Sequence, residues 1–121
     1  MKETIKNLWV KALRSGEYKQ GVELLCFSSS KYTSYCCLGV LCEVMIKEGM
    51  KIEIKEGDDG AKRYNGQAHD LPVSIQSATG MQTRVGLIAP GATRSLVQMN
   101  DFEGMSFEEL AGVIERNWET L

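Results

Sequence analysis

The hydrophobic pattern is dominated by one run, residues 35–46, in which only Gly39 and Glu43 interrupt the apolar side chains. The run lies between Ser34 and Gly49, and it fits a helix better than a strand, because strands usually end after about 4–8 residues. Its apolar side chains cover nearly the whole circumference of a helix, which predicts burial on most sides. The run is too short, and Glu43 is too central, for a membrane-spanning helix. We therefore predict a buried central helix.

Amphipathic helices are predicted at both ends of the chain. Residues 4–15 place apolar side chains at helical spacing, and Gly16 is a suitable C-terminal stop. The apolar stripe consists of Ile5, Leu8, Trp9, Ala12 and Leu13. Near the other end, Ser106 and Glu109 have the spacing of a capping box, which predicts a helix over 106–118.

Short strands are predicted between the helices. Residues 50–56 alternate apolar and charged side chains, which is the period of a strand with one buried face. A turn at 57–60 would let residues 61–67 pair back as the second strand of a hairpin. Residues 22–27 fit a short strand or an extended run.

The remaining segments complete the predicted fold. Residues 71–80 suggest a short helix, 83–89 and 93–99 are expected to be strands or extended, and 100–104 is expected to be a turn. The result is an α+β fold, with terminal helices and a buried central helix packed on a small antiparallel sheet. The length predicts a single domain over residues 1–121.

Composition narrows the classes of function. The net charge is -2, and 43% of the residues are hydrophobic and 25% charged, as in an ordinary soluble globular protein. Nucleic-acid binders and anionic-membrane binders need a basic surplus, which this chain lacks. Residues 1–6 contain no apolar segment or cleavage site of a signal peptide. We therefore expect a cytoplasmic protein with neither nucleic acid nor membrane as partner.

The chain has four cysteines, at Cys26, Cys36, Cys37 and Cys42. A cytoplasm would keep them reduced. No two of them have the C-x-x-C spacing, and His69 is the single histidine, so the pattern of a zinc site is missing. Cysteines in such a run usually pack as small apolar side chains, and only Cys36, at the helix start, has a plausible reactive setting. We expect neither a metal nor a cofactor.

The polar loop 28–34, before the central helix, is the first candidate ligand site. Free N–H groups and the dipole at a helix N-terminus favour phosphate, and Ser29 and Lys31 would add donors. Tyr32 or Tyr35 could stack on a base. The alternative is a solvated loop whose Ser or Thr caps the helix. The Gly-x-x-x-x-Gly-Lys-[Ser/Thr] pattern of a P-loop is absent.

A second candidate site is a set of basic residues. Lys62 and Arg63 lie beside Tyr64 in a turn-rich segment, and Arg84 and Arg94 follow later. The planar fork of arginine suits bidentate phosphate binding. The alternative is that these are ordinary surface charges. Convergence of Arg84 and Arg94 in one pocket would favour the binding role.

Catalytic chemistry has little support in the sequence. His69 beside Asp70 could act as a general base, but no nucleophile lies near them in the sequence. A lone histidine is more often structural or exposed. Asn100 and Asp101 fit turn chemistry better than a functional pair. We therefore predict no catalytic residues and a protein that is not an enzyme.

Four segments carry a resemblance to a known group of proteins. They read WVKALRSGEYKQG at 9–21, YCCLGVLC at 35–42, MND at 99–101 and GMSFEELA at 104–111. In order and spacing they resemble small tailed-phage and prophage proteins of unassigned function, and YCCLGVLC is the most specific motif. The resemblance implies a viral accessory protein in the cytoplasm of a bacterial host cell, and such proteins often counteract host defences. It implies no catalytic residues.

Three functions remain open, and we favour the first. The first is non-catalytic sequestration of a small phosphorylated, nucleotide-derived immune signal by a homo-oligomer. The second is direct inhibition of a host defence protein through an exposed apolar patch. The third is a small enzyme, for which the chain offers only His69, Asp70 and Cys36. The ligand-binding residues expected for the first function are Ser29, Lys31, Tyr32, Arg63, Tyr64, Arg84 and Arg94.

Overall fold

A computed structural model describes all residues 1–121 and contains five helices and four strands. The helices are α1 (Glu3–Arg14), α2 (Cys37–Lys47), α3 (Val73–Thr79), α4 (Leu96–Asp101) and α5 (Phe107–Asn117). The strands are β1 (Cys26–Ser28), β2 (Thr33–Tyr35), β3 (Ile54–Glu56) and β4 (Lys62–Tyr64). The predicted α+β class is confirmed. None of the helices combines the length and apolar character that crossing a membrane requires.

Helix α2 lies at the centre of the core, as its sequence predicts. Eight of its eleven residues are buried, and it packs against α1 and α4. It begins at Cys37, later than predicted, because Tyr35 pairs with Cys26 between β1 and β2. At Gly39 the helix lies directly against the backbone of Leu25, and a Cβ atom there would overlap the Leu25 carbonyl group.

The predicted terminal helices are present as α1 and α5, and they pack against each other and against the core. The capping box at the start of α5 is present, with both hydrogen bonds between Ser106 and Glu109. On the surface, the Arg14 guanidinium joins the two helices through Glu115 at 2.9 Å and Glu108 at 3.2 Å. The core itself is one cluster of 25 buried residues to which every helix contributes.

The strands form two antiparallel hairpins. The predicted hairpin of residues 50–67 is β3–β4, in which Ile54 pairs with Tyr64. The segment 28–34, predicted to be a loop, instead forms most of the β1–β2 hairpin. A single bridge between Phe27 and Ala61 connects the two hairpins.

The prediction of extended structure over 93–99 is wrong, because α4 begins at Leu96. Ser95 caps this helix, and its Oγ accepts a hydrogen bond from Gln98 N at 3.1 Å. The predicted turn at 100–104 therefore starts inside α4. The segment 83–89 contains no strand and makes only an isolated bridge.

Candidate functional site

The N-terminus of α2 is occupied by a side chain of the protein itself. Cys37 N–H donates to Asn100 Oδ1 at 3.2 Å, and Asn100 is buried. Cys36, at the N-cap position, is also buried and makes no side-chain capping bond. The expectation that this helix end offers free N–H groups to a phosphate is therefore wrong, because Asn100 from α4 supplies the acceptor.

Asn100 is the centre of a buried hydrogen-bond network. Its Oδ1 also accepts from Gln20 Nε2 at 2.9 Å, and its Nδ2 donates to Gly21 O at 2.9 Å and to Asp101 Oδ1 at 2.8 Å. Gln20 Nε2 makes a second bond, to Met105 O at 2.8 Å. The network thus connects all four of the segments that carry the phage resemblance, through groups that are distant in sequence.

Sequence reasoning treated Asn100 as a turn residue. A signal was present, because Leu96, Met99 and Asn100 have the i, i+3, i+4 spacing of one helix face, and all three are buried. A polar residue on a buried face needs hydrogen-bond partners. Recognising α4 would therefore have predicted a structural role for this asparagine.

The three arginines predicted to bind ligand are each engaged elsewhere. Arg63 pairs with Asp59 at 3.3 Å, and Arg84 Nε donates to Leu71 O at 2.7 Å. Arg94 makes two hydrogen bonds to the Glu103 carboxylate, one of them from Nε at 3.1 Å. The hydrogen bond from Arg94 lowers the pKa of Glu103.

None of these arginines lines a groove of the protein. The structure therefore does not bring Arg84 and Arg94 into one pocket, which was the condition that would have favoured their binding role.

Tyr64, which follows Lys62 and Arg63 in the sequence, belongs to the core. Its side chain has no exposed surface, and its hydroxyl donates to Glu43 Oε2 at 2.6 Å. Lys62 Nζ lies 3.7 Å from the same carboxylate oxygen. Burial, followed by this hydrogen bond, raises the pKa of Tyr64 above its ordinary value. The ring is therefore not placed to stack on a ligand, and we leave Tyr64 out of the site.

The loop candidates lie at and beside the turn of the β1–β2 hairpin. Ser29 closes this turn, because its Oγ accepts from the backbone N–H groups of Lys31 at 3.2 Å and Tyr32 at 3.3 Å. Lys31 is exposed. The Tyr32 ring is 47% exposed and packs 5.7 Å from the Phe27 ring, measured between centroids.

Tyr32 lines a groove of about 320 Å³ that we call the hairpin groove. Its walls are residues 19–22 and 24 on one side and Phe27, Tyr32 and Ser34 of the hairpin on the other. Lys19 Nζ lies 5.2 Å from the centroid of the Tyr32 ring, which is a cation–π distance. An aromatic face and an ammonium group therefore lie together at one open surface.

Backbone pairing holds the two walls of the hairpin groove in place. Tyr35 N donates to Lys19 O at 2.8 Å, and Gly21 N donates to Tyr35 O at 2.7 Å. Gly21 permits this close approach, because an added Cβ would lie 2.6 Å from Ser34 Oγ. Sequence reasoning found Tyr32 but missed Lys19 and Gln20, because this pairing joins residues about fifteen positions apart and leaves no local pattern.

Two further grooves have different chemistry. One lies between α1 and α2, has a volume of about 230 Å³, and includes Tyr18 with Lys47 Nζ 5.4 Å from its ring centroid. The other has a volume of about 350 Å³ and is lined by Glu23, His69, Asp70, Val97, Asp101 and Phe102. His69 Nδ1 lies 3.3 Å from Glu23 O, and no Ser, Thr or Cys side chain lines this groove.

The cysteines are all buried free thiols, and no cluster of three or more metal-ligating side chains is present. Burial raises the pKa of the Cys36 thiol to about 12 and raises the pKa of the other three thiols as well. Cys36, expected to be the most reactive, is only 4% exposed. The helix start therefore does not activate this thiol, because the buried environment disfavours the thiolate.

We expect the native protein to react with Ellman's reagent roughly a hundredfold or more slowly than the unfolded chain, because only the accessible thiolate attacks the reagent. Absorbance at neutral pH would follow thiol release in buffer and in guanidinium chloride. In denaturant, all four thiols should react. Rapid release of one equivalent from the native protein would contradict the burial of these groups.

Comparison of the chain with curated proteins and with solved structures gives no match. One family model covers nearly the whole chain, from residue 1 to residue 118. It therefore spans α1 to α5 and includes the Asn100 network and the hairpin groove. The protein belongs to this family, which is described as Domain of unknown function (DUF8296).

Proposed function

We propose that the protein is a non-catalytic binding protein that sequesters a small phosphorylated, nucleotide-derived ligand in the hairpin groove. The observation that carries the proposal is the half-exposed Tyr32 ring with Lys19 Nζ 5.2 Å from its centroid. The groove volume of about 320 Å³ lies within the range of small-molecule sites. An aromatic ring can stack on a base, and an ammonium group can bind a phosphate.

In this proposal, the base stacks on Tyr32 and the phosphate binds lysine. Every base has a π face that stacks on an aromatic ring, so Tyr32 gives affinity without strict selectivity. Lys19, at the groove, and Lys31, at the exposed turn, supply ammonium groups for charge-assisted hydrogen bonds to phosphate. Ser29 contributes indirectly, because its hydroxyl holds the turn that presents Lys31 and Tyr32.

The contacts of the arginines favour other cations for the proposed site. Arg63 and Arg94 pair with carboxylates, and Arg84 donates to a backbone carbonyl. A phosphate would have to displace the carboxylate partners of Arg63 and Arg94, and Arg84 lines no groove. Lys19 and Lys31, by contrast, make no ion pair with a carboxylate. The proposed binding residues are therefore Lys19, in the hairpin groove, and Lys31, at the adjacent turn, rather than the arginines.

The biological part of the proposal rests on the phage resemblance alone. A phage accessory protein of this kind would act in the cytoplasm of the bacterial host cell. By holding a nucleotide immune signal it would lower the free concentration of that signal and counteract host defence. A homo-oligomer stays our prediction for the assembly.

A titration followed by ¹⁵N NMR tests the proposal with AMP and UMP as probes. We expect amide shifts at residues 19–22 and 29–34, and roughly tenfold weaker binding after Lys19→Ala or Tyr32→Ala, as expected for loss of a charged hydrogen bond or a base stack. Lys55→Ala is the matched control, because Lys55 is exposed on the other hairpin. No binding, shifts elsewhere, or equal losses in the control would contradict the proposal.

Direct binding of a host defence protein is the second candidate function. It is favoured by large apolar side chains at the surface. Val22, in the hairpin groove, is 55% exposed, and Phe102, in the groove that contains His69, is 77% exposed. Such exposure is typical of protein contact surfaces when the residues are contiguous. Native mass spectrometry of the protein purified from infected cells separates the two functions. A bound nucleotide supports the first, and a stoichiometric host protein supports the second.

A further inference from the structure

Gln20 lies in the wall of the hairpin groove, and both hydrogens of its amide group are engaged inside the protein. Nε2 donates to Asn100 Oδ1 at 2.9 Å and to Met105 O at 2.8 Å. The amide is therefore anchored by two bonds on its nitrogen side. This leaves its carbonyl oxygen, Oε1, as the only remaining polar atom of the side chain.

Backbone groups fix the orientation of this amide. Cys37 N–H can only donate, so the Asn100 atom that it meets must be an oxygen, and Gly21 O can only accept, so the other Asn100 atom must be a nitrogen. Gln20 therefore faces two acceptors, Asn100 Oδ1 and Met105 O. A flipped Gln20 would place its oxygen against both of them.

The Gln20 Oε1 atom is an acceptor without a partner in the chain. It takes part in none of the bonds of the network, which use Nε2 alone. No fully buried side-chain nitrogen or oxygen of the protein lacks a hydrogen-bond partner, so this oxygen is not fully buried. Gln20 lines the hairpin groove together with Lys19 and Tyr32. A rigidly held acceptor on this residue is suited to read a donor on a ligand.

We propose that Gln20 Oε1 selects nucleotides whose base carries an exocyclic amino group, such as adenine, by accepting a hydrogen bond from that group. This inference rests on the proposed function of the hairpin groove, because Tyr32 and Lys19 must first hold the base and the phosphate. The selectivity follows from fixed geometry. The amide cannot rotate to offer its NH₂ group without breaking its bonds to Asn100 and Met105.

A site with a fixed acceptor discriminates between ligands that place a hydrogen-bond donor opposite it and ligands that do not. With an amino group opposite Oε1, the hydrogen bond replaces the water that the oxygen binds in the free protein. With a hydrogen atom in its place, the acceptor loses that water and gains no partner. The same group therefore favours adenine and disfavours an otherwise identical purine.

The test changes the ligand, because substitution of Gln20 would also disrupt the Asn100 network. Calorimetry would compare AMP with purine riboside 5′-monophosphate, which lacks only the amino group. We expect AMP to bind roughly tenfold more tightly. Equal affinities, or binding of UMP without binding of AMP, would overturn the inference and leave the proposed function standing. Failure of all three nucleotides to bind would overturn both.

Discussion

Replacing Gly39 with alanine is expected to lower the free energy of unfolding by about 3 kcal/mol or more, at the upper end of the usual cost of overpacking. The added Cβ would overlap the Leu25 carbonyl group, and this contact is made by backbone rather than by a flexible side chain. Relief would require α2 to move away from the chain that leads into β1. Chemical denaturation followed by circular dichroism would measure the loss.

Gly112→Ala is the matched control for this prediction. Gly112 also lies inside a helix, α5, but its added Cβ would meet only the end of the Arg116 side chain, at 3.1 Å. The control should be neutral or gain about 0.5–1 kcal/mol from better helix propensity. Similar small effects in both variants would show that α2 is not held against Leu25 as described.

The elements that the sequence predicted correctly are those specified by local patterns. The residues of the apolar stripe in α1 lie within a few positions of one another in the sequence, and so do Ser106 and Glu109 of the capping box. Burial of α2 follows from its composition alone. The start of α2 was placed too early, because pairing of Tyr35 with Cys26 depends on a hairpin that a run of serines does not suggest.

Helix α4 shows where local patterns compete. Ser95 before Leu96 was a usable cap signal, yet a helix of six residues gives too short a stretch for the helical period to emerge. Missing α4 also meant missing the role of Asn100. One error in secondary structure therefore led to a second error, about the free N–H groups at the N-terminus of α2.

The candidate site was predictable only in part. Lys31 and Tyr32 could be identified from the polar loop, whereas Lys19 and Gln20 reach the groove through backbone pairing with Tyr35. The partner of Arg94 was equally hidden, since Glu103 lies nine residues away and in a different turn. The residue type indicates what a side chain can bind, but the fold decides whether that side chain is already bonded to another group of the protein.

Asn100→Ala is expected to destabilise the protein by about 3 kcal/mol or more, because each buried group left without a partner costs about 1–3 kcal/mol. The substitution would strand Cys37 N–H and Gly21 O, and it would free the Gln20 amide. Asn117→Ala is the control, since the Asn117 side chain makes one bond, to Val113 O in its own helix. We expect the control to cost less than about 1 kcal/mol.

Asn100→Asp separates hydrogen bonding from shape. A carboxylate still accepts from Cys37 N–H but cannot donate to Gly21 O, and burial would raise its folded-state pKa above the unfolded value of about 3.9. The charge penalty is therefore absent below about pH 3.9 and grows as pH rises from there towards the raised folded-state pKa. Denaturation at pH 3.5 and pH 7, each compared with the unchanged protein, would measure it. A pH-independent difference would contradict the buried position of Asn100.

Because Asn100 also orients Gln20, the variants that fold should lose the preference for AMP over purine riboside 5′-monophosphate, while Tyr32 and Lys19 still bind both nucleotides.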